Sequence, residues 1–295
     1  SRFLEEMVTT IPWSLFEAQL AQAIRHKPGG RPPFSRLLLF KIHLLQTWFG
    51  LSDAQAEFQC RDRLSFRKFL GLGIDAKIPD STTIENFRHE LLETGLDTGL
   101  LATLDQFFLE RGLLLKQGSM VDASFIKANC KPRKNPQDQS DSDADWGNKG
   151  FGYSATVNVD RATRLIRRVN TTSERPHDSQ QLAPVIVGDE GHLYADSGYL
   201  GQEGMLRERG IVPHIVKRRV RGKKGEPTPP LKLRDKYRNK LVSRLRAPVE
   251  HIFACWKTVF KVGVVAYRGL KRVNQQVQSL ALGYNLRRLG YLCRA

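Results

Sequence analysis

Gly118-Ser119-Met120-Val121-Asp122-Ala123 is where the pattern of the chain changes. Upstream, apolar residues recur at helical spacing, as Ile84, Phe87, Leu91 and Leu92 do. Downstream they fall into short β-like runs at residues 119–123, 153–159, 165–171, 192–195 and 212–216, with helical segments between the later ones. Three closely spaced strands, then helix, strand, helix and strand, predict a mixed sheet covered by helices, an α/β architecture.

Working outward from that point, residues 1–98 read as a small all-α domain, 99–117 as a connecting helix and 118–295 as the α/β domain. Two stretches read as loops: residues 131–150, rich in Asp, Ser, Asn, Gln and Pro, and residues 219–235, which include RGKKGEPTPP. In the helical part, Ser52-Asp53-Ala54-Gln55 and Thr82-Thr83-Ile84-Glu85 both offer the capping-box pattern of a helix start. The stripe that follows the second leaves Arg88 and His89 facing outward. Residues 37–49, the longest apolar stretch, are interrupted by Lys41 and His43 and are too short for a membrane span, so they predict a buried helix. Four dispersed cysteines without metal-like spacing, and no visible leader, fit a reducing cytoplasm.

The chain has 295 residues and a formal charge of +17. That charge is local. Residues 1–98 hold 12 basic and 12 acidic side chains, whereas 99–295 hold 35 basic and 18 acidic. Residues 217–246 alone contain 13 basic residues against Glu226 and Asp235. Such a tract suits a polyanion, DNA or RNA being the commonest, with a solvated surface loop as the alternative. Its members Lys217, Arg218, Arg219, Arg221, Lys223 and Lys224, together with Lys127 near the first strand, are the candidate DNA contacts.

Two acids stand at strand ends. Asp122 follows Met120-Val121, and Asp196 follows Leu193-Tyr194-Ala195. In open α/β sheets the carboxyl ends of strands carry the ligand site, so two acids delivered there can face one pocket. Ionised carboxylates held together repel unless a cation lies between them, and an oxygen-only set suits Mg²⁺ or Mn²⁺. A third acid, Glu250, lies in Arg246-Ala247-Pro248-Val249-Glu250-His251-Ile252-Phe253-Ala254-Cys255-Trp256-Lys257. Pro248 suits a first helical position, placing Glu250 in the first turn and Lys257 on the same face. Three acids holding two metals about 3.5–4 Å apart would support phosphoryl transfer. Taken one at a time, each acid also fits a turn, a strand end or a helix N-terminus.

Together these residues resemble the DDE transposases of bacterial insertion sequences, specifically the IS-five-like group related to the IS-four type. The resemblance spans nearly the whole chain: Arg31-Pro32-Pro33, Leu51-Ser52-Asp53, Pro79-Asp80-Ser81-Thr82-Thr83-Ile84, Asn86-Phe87-Arg88, Val121-Asp122-Ala123-Ser124, Ala195-Asp196-Ser197-Gly198-Tyr199, Arg246 to Phe253 with Lys257, and Tyr267-Arg268-Gly269-Leu270. It implies an RNase H-like catalytic domain with Asp122, Asp196 and Glu250 as the catalytic, metal-binding triad and Mg²⁺ as cofactor, Mn²⁺ substituting. It implies double-stranded DNA, both element ends and target, as partner, with a homodimer on DNA. Arg246, Glu250 and Lys257 match an R-E-K signature, but Ser243 stands where relatives place a Tyr. Pro248 also disfavours helical geometry at Ala247, and a turn there would carry Arg246 off the face of Glu250. Lys257, Arg246 and Tyr199 are further candidate DNA contacts near the site. His177-Asp178 reads as a helix cap, and Asp138, Asp141, Asp143 and Asp145 as a solvated acidic run. The expected activity is cleavage at an element end and joining of the 3′ hydroxyl to target DNA. A nuclease without strand transfer and a catalytically inactive DNA-binding regulator are the alternatives.

Overall fold

The computed structural model describes residues 2–22, 33–135, 138–219 and 229–294. Their order is α1 (Arg2–Thr10), α2 (Ser14–Gln22), α3 (Arg36–Phe49), α4 (Asp53–Asp62), α5 (Leu64–Leu70), α6 (Ser81–Thr94), α7 (Leu96–Glu110), β1 (Ser119–Lys127), β2 (Asp145–Gly147), β3 (Gly150–Asp160), β4 (Ile166–Ser173), β5 (His192–Ala195), α8 (Glu203–Glu208), β6 (Val212–Ile215), α9 (Leu233–Arg246), α10 (Pro248–Ala254), a π-helical turn Cys255–Val259, and α11 (Leu270–Leu292). The chain is mixed α/β and divides into two compact units. Residues 1–110 join 255–295 in one, and residues 111–254 form the other. The C-terminal helix therefore belongs with the amino-terminal helices, where the sequence reading grouped it with the sheet. No helix among the described residues is long and apolar enough to cross a membrane.

In the helical unit α3 is the central element, burying Leu39, Phe40, Ile42, Leu44, Leu45 and Trp48. It ends at Gly50, whose left-handed φ of 64° closes the helix. Against it lies α11, buried at Val273, Val277, Ala281, Leu286 and Leu289. Trp48 Nε1 donates to the carbonyl of Gly283 at 2.9 Å. A Cβ at Gly283 would meet Thr47 at 3.0 Å, so glycine permits this approach of the two helices. Ser52 and Gln55 form the expected capping box. At α6 the cap is Asp80, which accepts from the Thr83 N–H at 2.7 Å, not Thr82. A carboxylate two residues earlier is the better acceptor.

In the other unit β1 pairs antiparallel with β3 and parallel with β5, and β5 pairs parallel with β6. On the far edge of β3 lie β2 and β4, both antiparallel to it. A cluster of Val121, Leu182, Val185, Leu193, Ala195, Tyr199, Leu206 and Ile215 packs one face of the sheet. The expected helix between β4 and β5 is replaced by two 3₁₀ turns, Asp178–Gln181 and Ala183–Val185, the second carrying Pro184 in its first turn. The stretch 131–150, expected as a loop, contains β2, which forms a tight hairpin with β3 across Asn148-Lys149. Its acidic run is not uniformly solvated, because Asp141 is buried and accepts from the Tyr153 hydroxyl at 2.8 Å. The stretch 219–235 already enters α9 at Leu233.

Candidate active site

The register of β1 against β5 pairs Val121 with Ala195, so Asp122 and Asp196 are the next residues along two adjacent parallel strands. Asp122 does not end β1, as its short apolar run suggested, but is the fourth of its nine residues, because the strand continues to Lys127 in its pairing with β3; its carboxylate accepts from the Ala123 N–H at 3.0 Å. Asp196 leaves β5 and caps the 3₁₀ turn Ser197–Tyr199, accepting from the Gly198 N–H at 2.6 Å. Gly198 is required there, since a Cβ would meet Asp196 Oδ1 at 2.8 Å and Asp178 Oδ2 at 3.3 Å.

Arg246 links the third acid to the first. Its Nη1 donates to Asp122 Oδ2, and its Nη2 lies 3.4 Å from Glu250 Oε1. Pro248 does end α9, but Ala247 keeps right-handed helical angles and its N–H still reaches the Ser243 carbonyl at 2.9 Å. Arg246 therefore stays beside Glu250, and the turn weighed against it does not occur. The preference of a residue before proline is weaker here than the helical ladder on either side.

Electrostatics set Asp122 apart. Burial, first, pushes its carboxyl up to about 6; Asp196 adds to the rise, while Arg246, the Ala123 N–H and Lys149 oppose it. Tyr199 is fully buried, and its phenol is raised well above its usual range by burial and then by Asp122, Asp178 and Asp196. As a DNA contact it is ruled out by that burial; it lies within the protein behind the carboxylates.

Asp178 and Lys149 are residues the sequence reading did not bring to this place. Asp178 approaches Gly198 beside Asp196, and the N-cap of its 3₁₀ turn is His177, not Asp178. Lys149, exposed in the β2–β3 turn, acts on both Asp122 and Glu174. The signal missed was the two-residue hairpin turn inside a polar run.

The other candidates are spread more widely. Lys257 lies exposed on the π-helical turn, which interrupts the continuous helix expected to put it on the face of Glu250, and it belongs to the other compact unit. Lys217 Nζ pairs with Asp235 at 2.8 Å, and Arg218 Nε donates to Ser197 Oγ at 2.8 Å. Arg219 and Lys127 are exposed. Arg221, Lys223 and Lys224 lie outside the described residues.

Asp122 and Asp196 offer oxygen donors of the kind a hard divalent cation takes, and their mutual repulsion favours such an ion. Glu250 is engaged by Arg246, and among the described residues no three His, Cys, Asp or Glu side chains are grouped to hold one ion.

A family profile described as Transposase DDE domain matches residues 114–286, and one described as Transposase domain (DUF772) matches residues 1–90. The chain belongs to the DDE transposase family. No solved structure matches it. Its family makes DNA the substrate, and Asp122 and Asp196 of this transposase lie inside the DDE match.

Proposed function

We propose that this transposase, of the IS-five-like group, binds the terminal inverted repeats of an insertion sequence, cleaves the phosphodiester at the element end and joins the freed 3′ hydroxyl to target DNA. Asp122, Asp196 and Glu250 are its catalytic carboxylates. The observation that carries this reading is the placement of Asp122 and Asp196 directly after the paired residues Val121 and Ala195 of two adjacent parallel strands, with Arg246 joining Asp122 to Glu250. The sheet order, with β3 beside β1 and then β5 and β6, supports an RNase H-like domain.

Bound Mg²⁺, or Mn²⁺ in its place, would activate the attacking water or hydroxyl and stabilise the leaving oxygen. Asp122, Asp196 and Glu250 would hold it. Arg246 and Lys149 favour the ionised form of Asp122 against its own burial. Lys217, Arg218, Arg219, Arg221, Lys223, Lys224, Lys127 and Lys257 would bind DNA phosphates and offset repulsion from the acidic site. The amino-terminal helices serve end binding, dimerisation or both, and two copies hold two element ends.

The test is incubation of a pre-cleaved element end with plasmid and Mg²⁺. Joined products are expected, Asp196→Ala should abolish them while retaining DNA binding, and full activity in that variant would remove Asp196 from the triad. Hydrolysis without joining would mark a nuclease instead.

A further inference from the structure

Three segments that carry the family resemblance take no part in the carboxylate site: Leu51-Ser52-Asp53, Asn86-Phe87-Arg88 and Tyr267-Arg268-Gly269-Leu270. They meet at one cavity of about 370 Å³, whose lining includes Asp53, Arg88, Lys261, Tyr267, Gln275 and Gln276. All of these residues belong to the helical unit.

Arg88 was expected to face outward, yet it is buried at 7% exposure. Its guanidinium lies over the Tyr267 ring, 4.7 Å from the centroid. It donates to Asp53 Oδ1, which also accepts from Gln46 Nε2 at 2.8 Å. Asp53 thus cancels the charge of Arg88, leaving a wall that is planar, aromatic and close to neutral. Gln275 Nε2 donates to the Arg88 carbonyl at 2.7 Å, and Gln276 Oε1 accepts from the Ala266 N–H at 3.0 Å. The opposite ends of these amides, the acceptor Gln275 Oε1 and the donor Gln276 Nε2, make no hydrogen bond among the described residues.

At the rim, exposed Lys261 holds a left-handed φ of 60°. Non-glycine residues keep that conformation only where their surroundings enforce it, and such positions gather at ligand sites. Gly50 lies against this backbone, since a Cβ there would meet the Phe260 carbonyl at 3.0 Å and Lys261 Cβ at 3.3 Å.

We propose that this cavity receives a single unpaired DNA base, with Lys261 holding the adjoining phosphate. Its volume falls near the lower end of small-molecule sites, roughly 300–1,000 Å³, enough for one nucleoside but not for a duplex. A base offers a π face to stack and an edge of donors and acceptors to meet two free amide ends. A polyphosphate would need more than the one cation at the rim. The inference rests on the reading that the chain acts on DNA.

The test uses the full chain and duplexes of one sequence: fully paired, carrying a single bulged 2-aminopurine, and carrying a bulged abasic residue. Anisotropy at fixed salt gives affinity, and 2-aminopurine emission reports the base. The bulged base should bind more tightly than either other duplex and change its emission. Tyr267→Ala should cut binding of the bulged duplex by about 5- to 150-fold and leave the paired duplex unaffected. Tyr267 is partly buried, so Val264→Trp, at a lining residue 46% exposed, provides a second variant that narrows the cavity without entering the Asp53–Arg88 network. It should erase the same preference with an unchanged melting curve. Equal binding of all three duplexes, or a preference kept in both variants, overturns the proposal while leaving the DNA reading intact. Free deoxynucleoside monophosphate competing as well as the bulged duplex would make this a nucleotide site and overturn it too. No binding to any duplex would overturn the DNA reading itself.

Discussion

Asp122→Asn separates the cost of a buried charge from the shape of the site. The carboxyl of Asp122 moves from 3.8 to about 6 on folding, chiefly through burial. Folding therefore favours the protonated form. Well below pH 3.8 the group is neutral in both states and contributes no penalty. As pH rises from about 4 to 6 the unfolded chain releases its proton first, and stability falls; above about 6 the folded site ionises as well and the penalty levels off. A shift of about two units corresponds to about 3 kcal/mol at 1.36 kcal/mol per unit. Asparagine keeps the shape without the charge. Its stability relative to the parent protein should carry a constant offset well below pH 3.8 and improve by about 3 kcal/mol from there to pH 7.5. Urea unfolding of both proteins across that range, with chelator present, measures the difference. A flat difference, or one that favours the parent as pH rises, would refute the argument. Mg²⁺ at pH 7.5 should then stabilise the parent alone, by about 2.7 kcal/mol at a hundred times its dissociation constant. Equal stabilisation of both proteins would take Asp122 out of the metal site.

Other perturbations test separate parts of the site. Arg246→Ala leaves the Asp122 carboxylate without its guanidinium partner, so near neutral pH it should cost about 1–3 kcal/mol in urea unfolding, and the loss should shrink as pH falls below about 6; a pH-independent loss would mean that Arg246 contributes packing only. Tyr199→Phe should leave affinity for DNA unchanged, because the ring is fully buried; weakened binding in an anisotropy titration would contradict that placement. Reversing Lys223 and Lys224 to Glu should lower the slope of log affinity against log salt by about 2, and an unchanged slope would take that stretch off the DNA.

What could be read in advance depended on how far each feature is a local matter. Asp122 and Asp196 were legible because each ends a short apolar run, and a parallel register then needs only one pairing, Val121 with Ala195, to bring them side by side. The strand β2 was not, because three residues within a polar run carry no periodicity of their own and gain their structure from pairing with β3. Arg88 was placed outward because helical spacing sees only its charge, whereas its burial depends on Asp53 and Tyr267, 35 and 179 positions away in sequence. The same limit explains α11. A helix buried on nearly every side gives no amphipathic stripe to say which partner it packs against, so its grouping with the amino-terminal helices is set by contacts distant in sequence. Arg246 is the most instructive case, because a valid local rule pointed the wrong way. Proline after Ala247 disfavours helical angles there, but the Ala247 N–H keeps its bond to Ser243, and Pro248 needs no donor at the first position of α10. Two helices thus abut with almost no turn between them, and Arg246 at the end of one meets Glu250 in the first turn of the next, while its other guanidinium nitrogen is held by Asp122. The link between Glu250 and Asp122 is built at that junction.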